Sequence, residues 1–198
     1  MRRANEAVVR ERYPIPTVDK ILQDLNQSKV HSKLDIKWAF HQLELSPESM
    51  DITAFMTHQG LLRYKRLMFG ISCAPEMYNK IIHQALSGLL GVNSIYDDSV
   101  VHGKSEEEHN RNLEQLLCRL QEKGLTLNID KCQFNLERIE FMGHILSEHG
   151  IGVSESKVQA IKEARKPQTV TEVKSCTGLV NFTGRFIPNL ATIAEPLN

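Results

Sequence analysis

Val92-Asn93-Ser94-Ile95-Tyr96-Asp97-Asp98-Ser99-Val100-Val101-His102 sets two adjacent carboxylates between two apolar stretches. Residues 92–96 and 99–102 read as strands rich in β-branched side chains, joined through Asp97 and Asp98. Like charges side by side at a tight turn repel unless a cation lies between them or water screens them. Two readings therefore stand for the pair by itself. Asp is a common turn residue, so it can be a polar hairpin turn. It can also be part of a metal site, because carboxylate oxygens are what a hard divalent ion takes.

Working outward, Pro75 opens a helix predicted to reach about Leu90, with Met77, Tyr78, Ile81, Ile82, Ala85 and Leu89 at helical spacing. Downstream, Ser105 and Glu108 form a capping box for a helix carrying Leu113, Leu116, Leu117 and Leu120, which Gly124 ends. Strands are predicted over 125–129 and 139–146, with a turn at Gly150 and Gly152. Two helices follow, the second capped by Thr169 with Glu172 three residues on. Toward the N-terminus, Pro14 and Pro16 lead in extended form to a helix capped by Thr17, whose apolar face is Ile21, Leu22 and Leu25. Residues 30–36 then read as a strand, followed by a short helix. A hairpin around His58, Gln59 and Gly60 has arms at 52–56 and 61–64. The mixture predicts an α+β fold, an antiparallel sheet with helices on one face, and a seam near residue 150 before a helical tail.

A third carboxylate gives the metal reading its content. Leu34-Asp35-Ile36 places one Asp at the end of an otherwise apolar strand. A buried carboxylate needs an ion pair, a hydrogen bond or a metal. Lys33 or Lys37 can supply the ion pair, or Asp35 can cap a helix opening at Trp38. Three carboxylates on neighbouring strands are also what two-metal phosphoryl transfer uses. Two ions roughly 4 Å apart activate a 3′-hydroxyl and stabilise a departing pyrophosphate.

The 198 residues suffice for one domain and a small appendage, and the 41% hydrophobic content supplies a core. The 24 basic and 24 acidic residues cancel, against the basic excess usual for nucleic-acid binding. The charge is uneven, however. Arg2, Arg3, Arg10, Arg12 and Lys20 cluster early; Lys157, Lys162, Arg165, Lys166, Lys174 and Arg185 cluster late. No apolar run approaches the roughly 18 residues of a membrane span, and no secretory signal follows Met1. Cys73, Cys118, Cys132 and Cys176 form no C-x-x-C pair, which speaks against zinc and for reduced thiols in an intracellular setting.

Seven blocks then occur in order: Arg12-Tyr13-Pro14-Ile15-Pro16, Leu34-Asp35-Ile36-Lys37-Trp38-Ala39-Phe40-His41-Gln42, Met68-Phe69-Gly70-Ile71-Ser72-Cys73-Ala74-Pro75, Asp97-Asp98, Lys131-Cys132-Gln133-Phe134, Phe141-Met142-Gly143-His144, and Gly178-Leu179-Val180-Asn181-Phe182 with Arg185-Phe186-Ile187-Pro188. Each is weak alone; the order is specific. Over nearly the whole chain the pattern resembles the reverse transcriptases of Ty3/gypsy-type LTR retrotransposons.

That resemblance implies a right-hand polymerase fold, with truncated fingers and palm over residues 1–150. Residues 151–198 would begin the thumb and connection, stopping before an RNase H domain. It implies an RNA-directed DNA polymerase that moves a nucleotide from a dNTP to a primer 3′-hydroxyl on an RNA or DNA template. Asp35, Asp97 and Asp98, grouped with Ile36, would hold two Mg2+ (or Mn2+) ions. Lys131 would stand near the leaving pyrophosphate as a proton donor; otherwise it is a solvated surface lysine. Phe40 would lie beneath the incoming sugar and exclude a 2′-hydroxyl; otherwise it is a core aromatic. Phe69 and Gly70 would pack against nucleotide and template, and Phe141, Met142, Gly143 and His144 would grip the primer end. Asn181, Phe182, Arg185 and Phe186 would begin the thumb. Implied partners are a primer–template duplex, dNTPs and the rest of a Pol polyprotein, in a cytoplasmic particle or the nucleus, with no membrane.

The match departs in places. Ile95 stands where Tyr is commonest, Ser99 where a large aliphatic is expected, Tyr78-Asn79 where Phe-Gln is usual, and Cys176-Thr177 where Phe-Leu is usual. The upstream fingers that hold the triphosphate through a Lys and an Arg are missing, so the 198-residue chain is expected to polymerise poorly by itself. Two alternatives are a co-opted remnant that binds nucleic acid without catalysis, and another palm-type enzyme such as a nucleotide cyclase. The chain lacks the Gly-Gly-acid turn of the latter.

Overall fold

Strand alternation organises the centre of the molecule. In Val30–Asp35 (β1), Ser32 and Leu34 point to one face and His31, Lys33 and Asp35 to the other. β1 pairs antiparallel with Asp98–Gly103 (β5) on one side and Gln133–Leu136 (β6) on the other. Val92–Ile95 (β4) adds to β5, giving the order β4-β5-β1-β6. The computed structural model describes residues 5, 6, 8, 9, 13, 14, 17–25 and 27–197; Arg2, Arg3, Arg10, Arg12, Ile15 and Pro16 of the patterns above lie outside the described residues.

Each face of this sheet carries its own core. Leu34 and Val101 pack beneath two long helices, Ala74–Leu86 (α3) and Glu106–Glu122 (α4), together with Tyr78, Ile82, Leu116 and Leu120. On the opposite face, Ile95 and Val100 meet Ile21, Leu22 and Leu25 of Val18–Asp24 (α1). They also meet Ile139, Phe141 and Leu146 of a second antiparallel sheet: Arg138–Phe141 (β7), His144–Ser147 (β8) and Gly150–Val153 (β9). Burying each such aliphatic side chain contributes roughly 1.5–3 kcal/mol before entropy is subtracted. The turn Tyr96-Asp97 is thus held where two cores meet.

The remaining elements are Pro47–Ile52 (α2), the hairpin Phe55–Thr57 (β2) and Gly60–Leu62 (β3), and the C-terminal helices Glu155–Lys162 (α5), Val170–Phe182 (α6) and Leu190–Ala194 (α7). Among the described residues no helix is long and apolar enough to cross a membrane.

The predicted caps hold. Thr17 accepts from the backbone N–H of Lys20, Ser105 from Glu108 and Thr169 from Glu172. Gly124 takes φ +67° just past α4. Five boundaries differ from expectation. The predicted strand at 125–129 is only an isolated bridge between Leu127 and Ile36: Lys37 N donates to Thr126 O and Asn128 N to Asp35 O, and the Gln42 side chain also binds both backbone groups of Thr126. The edge strand is β6 instead. The single strand expected at 139–146 is a hairpin, since Met142 and Gly143 turn the chain at φ +50° and +76°. Ile52 belongs to α2, which Ser46 caps and Pro47 opens, rather than to a hairpin arm. α3 stops at Leu86, with Gly88 at φ +84°, short of Leu90. Gly150 and Gly152 lie in β9, which pairs with β8, so this second sheet runs across residue 150.

Candidate active site

The ladder between β1 and β5 places Asp35 directly opposite Asp98, and the two-residue turn Tyr96-Asp97 closes β4 onto β5. Two backbone bonds tie the three acids to one frame: Ile36 N donates to Asp97 O (3.1 Å) and Asn128 N to Asp35 O (2.9 Å). Tyr96 has φ +54°, a region non-glycine residues rarely take, so something must hold it there. Asn79 does. Its buried amide accepts from Tyr96 N (2.9 Å) and donates to Pro75 O (2.8 Å), bracing the turn against the first residues of α3.

Asp35 and Asp97 open into one cleft of about 520 Å³, whose lining also includes Phe40, Phe69, Asn128 and Lys131 but not Asp98. Two lysines divide the acids. Lys131 Nζ lies 3.6 Å from Asp35 Oδ2, and Lys33 Nζ lies 3.1 Å from Asp98 Oδ2. Lys33, expected as a possible partner of Asp35, therefore belongs to Asp98. Lys37 instead lies 5.3 Å over the Trp38 ring. The turn Ala39–Gln42 makes no side-chain cap, so Asp35 is not an N-cap either.

An aromatic row forms the wall. Phe40 meets Tyr78 edge to face at 5.2 Å and Phe69 at 4.9 Å, and His41 meets Phe69 at 5.5 Å. Phe40 is half-buried and borders both core and cleft, whereas Phe69 is 62% exposed. Among the described residues the buried Tyr78 hydroxyl has no hydrogen-bond partner. Burial, and then the negative charges of Asp97 and Asp35, push its pKa well above the usual phenol value. Gly70 takes φ +89° in the loop after Phe69. Asn5 brackets that loop, donating to Gly70 O and accepting from Ser72 N, both at 2.9 Å.

Of the expected primer-end residues, Met142 and Gly143 form the β7–β8 turn, while Phe141 and His144 face inward and are fully buried. His144 stacks on Phe182 at 5.2 Å and tilts against Phe186 at 6.0 Å. Phe141 lies in the core between the two sheets.

Among the described residues no three His, Cys, Asp or Glu side chains are grouped closely enough to hold a metal ion. The donor chemistry nonetheless suits a hard divalent cation, since carboxylate oxygens of Asp35 and Asp97 share one cleft. Asn5 and Asn79 escaped sequence reasoning because nothing local separates a bracing amide from a surface one, and Asn128 acts through its backbone N–H, which any residue but proline carries. Lys33 carried a signal: strand alternation already puts it on the face of Asp35.

Residues 1–146 match the family described as "Reverse transcriptase (RNA-dependent DNA polymerase)". The chain is 34% identical over 198 residues to the Retrovirus-related Pol polyprotein from transposon 297 of Drosophila melanogaster, covering 99% of this chain and 19% of that protein. To the Pol polyprotein from transposon gypsy of the same fly it is 30% identical, with the same coverage of 99% and 19%. The fold superposes on the foamy viral protease-reverse transcriptase in complex with RNA/DNA hybrid with a TM-score of 0.86 at 26% identity, covering 99% of this chain and 27% of that one. The chain thus spans about a fifth of the length of the Pol relatives it matches.

Proposed function

The chain belongs to the reverse transcriptase family, and from that premise we propose that it carries the polymerising centre of an RNA-directed DNA polymerase of Ty3/gypsy type. One observation carries the reading: Asp35 and Asp97, distant in sequence, open together into a cleft walled by Phe40 and Phe69 and reached by Lys131.

In this reading Asp35 and Asp97, joined by Asp98, hold divalent cations. Two Mg2+ or Mn2+ ions held by these carboxylates would supply positive charge for activating a primer 3′-hydroxyl and for stabilising a departing pyrophosphate. The chain's own residues do the rest by position and charge. Phe40, on the cleft wall, would exclude a 2′-hydroxyl and so select dNTPs. Phe69 and the Gly70 loop, braced by Asn5, present a wall to base and template. The Lys131 ammonium in the cleft can give a proton to the leaving phosphate oxygen. The Met142-Gly143 turn faces the primer end. Partners are an RNA or DNA template with its primer, dNTPs, and the flanking segments of a Pol polyprotein in an intracellular particle or the nucleus.

The test is primer extension on an RNA template by this chain carried within its flanking Pol segments. Asp35→Asn and Asp97→Asn should each lower extension by at least about 10³-fold, the scale of lost transition-state charge stabilisation, while primer–template affinity stays within a few fold. Activity that survives either change sinks the proposal. The lysine pairing of Asp35 and Asp98 favours one other reading, a duplex-binding remnant without catalysis. Duplex binding with no Mg2+-dependent extension, even within the flanking Pol segments, would select it.

A further inference from the structure

The two lysines at the acids are not equivalent. Lys131 is 65% exposed, ends the 3-10 turn Ile129–Lys131 and lines the cleft, with its ammonium 3.6 Å from Asp35. Lys33 and Asp98 are only 24% and 25% exposed and lie 3.1 Å apart. Their pairing is built into the sheet. Asp98 is opposite Asp35 and Val100 opposite Lys33, so Lys33 and Asp98 are diagonal neighbours on the same face. Of the three acids, Asp98 is the one absent from the cleft lining.

We propose that Lys33 is a positioning residue that holds Asp98 aside from the cleft and thereby weakens the site's grip on divalent cations. An ammonium at hydrogen-bond distance and a cation compete for the same carboxylate oxygen. Asp97 and Asp98, adjacent in sequence, therefore have unequal duties. Asp97 is open to the cleft with Asp35; Asp98 joins only when Lys33 releases it. This inference rests on the metal-site reading above.

The test is Mn2+ titration of the full chain, following free Mn2+ by electron paramagnetic resonance, with no substrate present. Lys33→Met should bind Mn2+ on the order of ten-fold more tightly, the effect of removing one charge a few ångströms from the ion. Lys33→Arg, which keeps the charge, should stay close to the parent. Asp98→Asn combined with Lys33→Met should cancel the gain, leaving the double variant no tighter than Asp98→Asn by itself. Unchanged or weaker binding by Lys33→Met, with Mn2+ still lost in Asp35→Asn, overturns the role of Lys33 and leaves the metal site standing. Binding indifferent to Asp35→Asn, or none by any variant, overturns the metal site and this inference together.

Discussion

At the scale of single residues, the site is held by side chains that do no chemistry. Asn79 satisfies the backbone of the positive-φ Tyr96, and so sets where the next two carboxylates begin. Its neighbour Tyr78 is the opposite case: its ring is core, but its buried hydroxyl has no partner among the described residues and lies close enough to Asp97 and Asp35 for their charge to be felt. A buried unsatisfied hydroxyl costs about 1–3 kcal/mol, and the ring packing against Phe40 does not need it. Tyr78→Phe should therefore raise stability by about 1 kcal/mol, read as a higher urea midpoint with unchanged slope. A loss of stability would mean that the hydroxyl has a partner in solution. Tyr78 as a core aromatic was legible from helical spacing; the orphaned hydroxyl was not, because it depends on what segments distant in the chain bring near.

At the scale of elements, the β1–β5 pair does more than align acids. Its far end sets His31 opposite His102, and His109 of α4 reaches Ser32 of β1 with Nε2 2.9 Å from the hydroxyl. Burial, followed by the neighbouring His31, depresses the pKa of His102 to about 4. The ring is held neutral between Ser28 at 2.8 Å and Asn93 at 3.3 Å. Burial likewise lowers His31. An unfolded histidine takes a proton near pH 6.5, so between pH 6.5 and 4 the unfolded chain binds more protons than the folded one. Stability is then complete above about pH 6.5 and falls as pH drops toward 4, by on the order of 3 kcal/mol for His102 alone. Urea midpoints measured across that range should show the slope, and His102→Gln should flatten it. A flat profile in the parent chain would show that these rings are solvated. The strands themselves were readable from β-branched alternation. Their register was not, and a shift of one residue would put every histidine and acid on the wrong face.

At the scale of the whole molecule, the C-terminal helices are fastened to the second sheet at one corner. Phe182 at the end of α6 stacks on His144, Lys157 of α5 lies 5.3 Å over the same ring, and Arg185 pairs with Asp19 of α1. Gly143 is what lets the corner close. A Cβ there would lie 3.2 Å from Phe182 and 3.4 Å from Lys157, at φ +76°. Gly143→Ala should cost about 1–3 kcal/mol and speed hydrogen exchange through 141–144 while α3 and α4 keep their protection. Uniform exchange across the chain would place the strain elsewhere. What the sequence by itself determined were quantities of short range: caps at Thr17, Ser105 and Thr169, the apolar faces of α1, α3 and α4, the identity of the carboxylates, and the family. Only the tertiary structure decided that Lys33 pairs with Asp98 and not Asp35, that the Gln42 side chain binds both backbone groups of Thr126, and that Phe141 and His144 turn inward. Caps and periodicity act over a few residues and are written in adjacent letters, whereas an ion pair or a stacked ring depends on register and on elements far apart in the chain coming within a few ångströms.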